Sequence, residues 1–282
     1  MNHTRRRKIL SGLVVFLCGA AVAVALVPLF FVFAYVLQKG FSSLNWDFFT
    51  SAPKPVGEPG GGMANAMIGT LILIGIASAV AVPVGVIAGV YLSEYGKKKF
   101  ATLVRFTADV LNGVPSIVIG IFAYGLAVLP VKHFSALAGG LALGFMMIPI
   151  ITRTTEELLN LVPGSLREGA LALGATRARA AFSVMVPAAL PGIMTGILVA
   201  LARIAGETAP LLFTAFNNRF FTTRLDQPIS SLPVQIYTYA VAPYEDWHRQ
   251  AWAGALVLVA FVFTFSVLAR VVTRRLERMH RT

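Results

Sequence analysis

Long runs of uncharged, mostly apolar residues constrain the fold of this chain more than any other feature. Six of them, each 19 to 28 residues long, make up about half of the 282 residues. A helix needs about 20 apolar residues to cross a bilayer, where unpaired backbone groups exclude irregular structure. The sequence therefore predicts an all-α, polytopic membrane protein with six transmembrane helices, at 10–37, 66–93, 110–131, 134–152, 180–202 and 250–269.

The distribution of Lys and Arg predicts the orientation of these helices. If the N-terminus is cytoplasmic, 17 of the 24 basic residues fall on the cytoplasmic side and six on the other, with Arg203 at the edge of the fifth run. Positively charged loops stay in the cytoplasm, so both termini are predicted to lie there. The net charge of +12 is then explained by topology and by contact with membrane lipid, and nucleic acid is not an expected partner.

The glycine-rich segments lack the pattern of a nucleotide-binding loop. Segment 57–62 is not followed by Gly-Lys-Ser/Thr, and after Gly89 and Gly96 the spacing is wrong, with Lys98 where a hydroxyl residue would bind magnesium. The four histidines and the single cysteine show no metal-ligand spacing. We therefore expect no ATP site, no other cofactor and no metal in this chain, and no catalytic residues.

A short segment between the fourth and fifth runs has the pattern of a helix at about 165–175. Ser165 and Glu168 have the spacing of a capping box, in which each side chain bonds a free backbone amide of the first turn. Gly174 is a typical helix stop. The sequence thus predicts a short helix on the cytoplasmic side of the membrane.

This short helix must be held by something outside itself, because about two turns of helix are not stable alone. Leu166, Ala170 and Leu173 fall on one face at helical spacing. The helix could rest on lipid headgroups, as amphipathic interfacial helices do. The small residues Gly169, Ala170 and Ala172 favour the other interpretation, in which the helix fits closely into a groove of a partner protein.

The same segment resembles a known loop. Residues 168–174, Glu-Gly-Ala-Leu-Ala-Leu-Gly, followed by Val-Met-Val-Pro at 184–187, resemble the EAA loop of the membrane subunits of ATP-binding-cassette (ABC) importers. Gly169 replaces the first Ala of that motif, and Val184 and Val186 replace Ile and Leu. Residues 112–120 and 203–215 resemble the permease subunits of phosphate importers, and the Glu-Thr-Ala-Pro form at 207–210 resembles the A-type subunit more than its C-type partner.

The resemblance implies a type I ABC importer permease for inorganic phosphate in the cytoplasmic (inner) membrane. The implied partners are a C-type (PstC-like) permease as heterodimer, two PstB-like ATPase subunits that bind the ATP and Mg, and an extracytoplasmic PstS-like phosphate-binding protein. The short helix would be the coupling helix that docks on the ATPase. The residues assigned to coupling are Glu168, Gly169, Ala170, Leu173 and Gly174.

The resemblance also divides the chain. Residues 1–37 form a cytoplasmic tail and the first transmembrane helix, and 38–65 a periplasmic loop. Residues 66–275 form the five-helix transmembrane domain of the importer, and 276–282 a second cytoplasmic tail.

Ionisable residues near the membrane are candidates for the path. Arg203 and Glu207 lie four residues apart, on one face if the fifth helix continues past its apolar run. Such groups are costly in lipid and face a partner or an aqueous path, so the two residues either line the path or form a structural ion pair. Thr208 belongs to the same stretch. Asp109 is expected to form a surface pair with Arg105.

The third run contains a helix breaker, Pro115, next to Ser116 and close to Asn112. Backbone groups freed by a proline are tolerated in a span where they are buried or line a cavity, so these three residues are further candidates for the path or gate. A simple packing kink is the equal alternative.

Other functions remain open at this point. A permease of the same architecture could carry another oxyanion, such as sulfate or molybdate, or the chain could be the C-type phosphate permease. An ion-driven secondary transporter would not need a docking helix. An intramembrane enzyme lacks support, because no Gly-x-Ser-x-Gly, His-Glu-x-x-His or paired Asp motif is present.

Overall fold

The computed structural model describes residues 3–56, 58, 60–96 and 99–279, with side chains except at 3–5, 269 and 272–279. Its described residues form helices and loops and contain no strand. Two π-helical turns follow α5 and α8, at Tyr124–Val128 and Ala181–Met185. The helices are α1 (His3–Phe41), α2 (Trp46–Thr50), α3 (Ala64–Tyr95), α4 (Lys99–Gly113), α5 (Ser116–Ala123), α6 (Ala136–Leu161), α7 (Gly164–Ala172), α8 (Arg177–Ala180), α9 (Val186–Ala205), α10 (Ala209–Thr214), α11 (Leu232–Ala240) and α12 (Glu245–Met279).

Within the described chain, five straight segments are long and apolar enough to cross a membrane. They are Arg6–Phe41, Ala64–Tyr95, Ala136–Leu161, Arg177–Ala205 and Glu245–Leu268. They correspond to five of the six predicted runs and confirm the all-α, multi-span fold class.

The remaining run, 110–131, forms the sixth predicted span only as a bent pair of helices. Its first residues complete α4, and the chain then bends by 109° into α5 and the π-turn that follows, so a sixth span exists only as a bent pair. Pro115 is the physical reason. It has no amide hydrogen to continue the helix, and it disfavours helical geometry at Val114 before it. Pro115 instead precedes the new helix, with ψ at 136°.

Helix α6 lies at the centre of the molecule, because α3, α4, α9 and α10 all pack against it. Glycines allow α3 and α6 to approach each other closely. A Cβ atom at Gly85 would lie 2.7 Å from Cβ of Ile151, and one at Gly89 would lie 2.5 Å from Cβ of Thr155. The backbones of α3 and α6 are therefore nearer than larger residues would permit. Close packing of this kind makes α3 and α6 one rigid unit.

Helix α1 stands apart from this core. No residue in the apolar window of its span is buried in the isolated chain, and most of its less exposed residues lie near its C-terminal end. There the rings of Tyr35 and Trp252 meet edge to face, with centroids 5.0 Å apart, and Gly40 lies against Leu256 of α12. An apolar surface of this extent suits lipid.

Candidate coupling surface and translocation path

Helix α7 follows α6 almost without a break. Only Val162 and Pro163 separate the two helices, and both have extended ψ angles of about 130°. The predicted capping box is not formed. Pro163 occupies the position before the helix and makes no side-chain cap, so the helix begins at Gly164 and Ser165 lies inside it. Pro163 is the N-cap, and its side chain has no oxygen to accept a hydrogen bond from a free amide of the first turn.

The end of α7 lies where the sequence predicts it. Gly174 has φ of +84°, a left-handed conformation that residues with a Cβ rarely adopt. Its amide donates to the carbonyl of Leu171 at 3.0 Å, and the amide of Ala175 donates to the carbonyl of Ala170 at 3.1 Å. These two bonds form a Schellman motif, which satisfies the last carbonyls of the helix.

The surface of α7 is open in the isolated chain, since none of its residues is buried. Leu173 is 92% exposed, and Leu166 and Leu171 are exposed as well. Among the other predicted coupling residues, Glu168 and Gly169 are exposed and Ala170 is half-buried. Exposed leucines on a short helix next to a membrane domain are suited to contact with another protein.

Helix α7 forms an ion pair with α3 that the sequence did not indicate. Nη2 of Arg167 lies 2.8 Å from Oε1 of Glu94, which is in the last turn of α3. Glu94 directly follows the second apolar run, and that position was the only sequence signal available.

Two breaks in the helices contain the predicted path residues. At the first, Asn112 lies at the end of α4 and Ser116 begins α5; both are half-buried, and Pro115 between them is exposed. At the second, α9 ends at Ala205, and Glu207 and Thr208 are half-buried in the link to α10.

Arg203 and Glu207 would share a helix face only if the fifth helix continued past its apolar run, and it does not. Arg203 lies in the last turn of α9, whereas Glu207 follows the C-cap, Gly206. Among the described residues, no ion pair joins Arg203 to an acidic side chain within 4.0 Å, and Arg203 is exposed. The helix ends because Gly206 is a poor helix former and Pro210 starts the next helix.

The helices that follow the two breaks contact each other, because α5 packs on α10. A Cβ atom at Gly120 would lie 2.6 Å from Cα of Pro210. The two sequence stretches that resemble phosphate permeases are thus neighbours in space. A pair of adjacent interrupted helices is the arrangement in which freed backbone groups can line a path through a membrane protein.

A second group of charges connects α4 to α6. The predicted Asp109–Arg105 pair is wrong: Asp109 Oδ1 lies 2.9 Å from Nε of Arg153. Arg105 instead donates from Nε and Nη2 to Oε1 of Glu156, with the Nε distance at 2.9 Å. Arg153 donates to Oε2 of the same carboxylate at 2.5 Å. Only 4% of the Glu156 side chain is exposed, so this carboxylate depends on its two arginines.

The comparisons with known proteins agree with this architecture. Residues 81–278 match the family described as binding-protein-dependent transport system inner membrane component. The chain belongs to this family and is a multi-pass inner-membrane protein. Its fold is that of type I ABC importer permeases. A solved structure of the MetNI methionine ABC transporter in an inward-facing conformation matches with a TM-score of 0.60 at 20% identity, over 75% of this chain and 93% of that one.

Individual relatives are named as phosphate permeases. The phosphate transport system permease protein PstA of Haemophilus influenzae is 43% identical over 266 residues, or 94% of each chain. The protein of the same name from Yersinia pestis is 46% identical over 84% of this chain and 80% of its own. A probable PstA of Methanocaldococcus jannaschii is 35% identical over 94% of each chain.

Proposed function

We propose that this chain is a permease subunit of an ATP-driven importer and forms half of the path for inorganic phosphate across the inner membrane. The observation that carries the proposal is the 43% identity to a named phosphate permease over 94% of both chains. The packing of α5 on α10 supports it, because the two phosphate-permease-like stretches contact each other there.

The remaining parts of the importer are proposed as separate subunits. A PstC-like permease supplies the other half of the path, and two PstB-like ATPase subunits bind the ATP and Mg. A PstS-like protein delivers phosphate from outside. Two observations support this assignment: the family is one of binding-protein-dependent systems, and α7 presents exposed leucines at the end of α6. In this arrangement α7 docks on the ATPase and both termini are cytoplasmic.

Arg203 is proposed to lower the barrier to the anion. A path lined only by apolar groups would repel phosphate, whereas a guanidinium offers a fixed charge and a planar set of donors. Arg203 is exposed and unpaired among the described residues, which suits an anion-accessible state. When the path closes, Glu207 or a carboxylate of the partner permease neutralises it. Asn112, Pro115, Ser116 and Thr208 line the path beside it. The competing role for Arg203 and Glu207 is a structural lock.

Transport by the reconstituted complex tests the proposal. The chain, its partner permease and the ATPase are placed in proteoliposomes with the binding protein, and uptake of radiolabelled phosphate is followed with and without ATP. We expect ATP-dependent uptake that excess unlabelled phosphate abolishes and that sulfate and molybdate leave unchanged. Uptake of sulfate or molybdate instead would identify a different oxyanion permease. Uptake driven by an ion gradient without ATPase would identify a secondary transporter.

A further inference from the structure

Helix α7 is attached to the membrane domain by its chain links, by packing on the π-turn at Ala181–Met185 and by one ion pair. The chain links, 162–163 before the helix and 173–176 after it, determine where α7 begins and ends. No residue of α7 is buried, so core packing holds this helix less firmly than it holds the helices of the bundle. Among the described residues, the ion pair between Arg167 and Glu94 is the one salt bridge that α7 makes.

The burial of this pair distinguishes it from an ordinary surface ion pair. Only 8% of the Glu94 side chain and 33% of the Arg167 side chain are exposed. By contrast, Arg224 and Asp226 pair at the same 2.8 Å with more than half of each side chain exposed. A carboxylate with little access to water requires a partner charge, whereas exposed pairs contribute little. Arg167 is therefore held against α3 more firmly than surface pairs are held.

The position of Arg167 on the helix determines which face of α7 points outward. Arg167 lies about 100° around the helix from Leu166, so it is roughly a quarter turn from the face that carries Leu166, Ala170 and Leu173. Arg167 and Ala170 are the half-buried residues of α7, so the helix lies on the membrane domain along this side and presents its other residues outward. This agrees with the 92% exposure of Leu173.

We propose that Glu94 and Arg167 are positioning residues for energy coupling: their ion pair orients α7 for the ATPase and transmits displacement of α7 to α3. The proposal rests on the proposed function, in which α7 is the docking helix. Helix α3 is packed on α6 at Gly85 and Gly89, and α7 follows α6 in the chain. The ion pair between Glu94 and Arg167 connects α7 to α3, so each of the three helices is attached to the other two. A displacement of α7 then moves the two core helices together and does not simply rotate α7 on its link.

The test compares Glu94→Gln, Arg167→Gln and the swapped double variant Glu94→Arg with Arg167→Glu in the complete reconstituted complex. Arg224→Gln is the matched control, since it removes an arginine from an ion pair of the same length far along the chain. The readouts are co-purification of the ATPase, ATP hydrolysis and phosphate uptake. The decisive quantity is phosphate imported per ATP hydrolysed, which a purely structural role would leave unchanged in complexes that assemble.

We expect both single variants to assemble and to import about tenfold less phosphate per ATP, an effect within the usual range of coupling between sites. The swapped variant should recover most of the loss, and the control should match the wild type. A wild-type ratio in both single variants would overturn the proposal, and so would loss of assembly in both, which would make the pair a stability element. Failure of the wild-type complex to import phosphate would instead refute the proposed function.

Discussion

Gly120 of α5 lies against Pro210 of α10 so closely that a Cβ atom at Gly120 would come within 2.6 Å of the Pro210 Cα. This contact joins the two short helices that follow the breaks containing the candidate path residues. The neighbouring atom is backbone and cannot rotate away, so the contact requires glycine.

Gly120→Ala should therefore destabilise the protein by about 1–3 kcal/mol, because α5 and α10 must separate to admit the methyl group. Gly125→Ala is the control, since a Cβ atom there would meet nothing within 4 Å. Thermal unfolding in detergent micelles measures both. Equal melting temperatures for the two variants would contradict the contact.

Glu156→Gln should destabilise the protein by about 3 kcal/mol, since it leaves Arg105 and Arg153 without their shared buried carboxylate. Asp109→Asn should cost less than about 1 kcal/mol, because 52% of the Asp109 side chain is exposed. Denaturation of the purified protein compares them directly. A larger effect at Asp109 would show that the network depends on the exposed pair.

Gly174→Val should uncouple ATP hydrolysis from phosphate uptake while the protein stays in the membrane. A β-branched residue at φ of +84° costs about 1–2 kcal/mol locally and displaces the end of α7. Gly75→Val serves as the control, because Gly75 has ordinary backbone geometry and open space around it. Normal uptake with normal ATPase stimulation in Gly174→Val would refute the docking role of α7.

Arg203→Gln should abolish phosphate uptake without loss of assembly, since it removes the fixed charge proposed to attract the anion. Glu207→Gln should slow release of the anion, because nothing then competes for Arg203. Uptake is measured for both variants and for the swapped pair, Arg203→Glu with Glu207→Arg. These assays distinguish a role in the anion path from a structural lock. Recovery of uptake in the swapped pair would identify a structural lock and remove the path assignment.

Both termini are predicted to be cytoplasmic, which single cysteines can test. In a Cys18→Ser background, Thr223→Cys should react with a membrane-impermeant maleimide from outside, and Thr176→Cys only after the inner face is opened. Both positions are exposed in the isolated chain. Labelling of the two sites from the same face would exclude the predicted topology.

The local features of this protein could be predicted from its sequence. The length of the uncharged runs determined the helical spans, because a helix satisfies its own backbone hydrogen bonds in lipid. Gly174 determined the end of α7, since a left-handed residue is a local requirement. The sequence indicated that Pro115 breaks the helix. It could not predict the size of the bend, 109°, because that depends on how α5 packs against α10.

Only the tertiary structure decided how the charged residues pair. The sequence placed Arg105 beside Asp109 and Arg203 beside Glu207 by helical spacing, which assumes that each helix continues and that no stronger partner is near. In the folded chain Arg105 pairs with the carboxylate of Glu156, 51 residues away. Helix α9 ends before Glu207. Pairing of charges depends on distance and burial in three dimensions, and helix packing determines both.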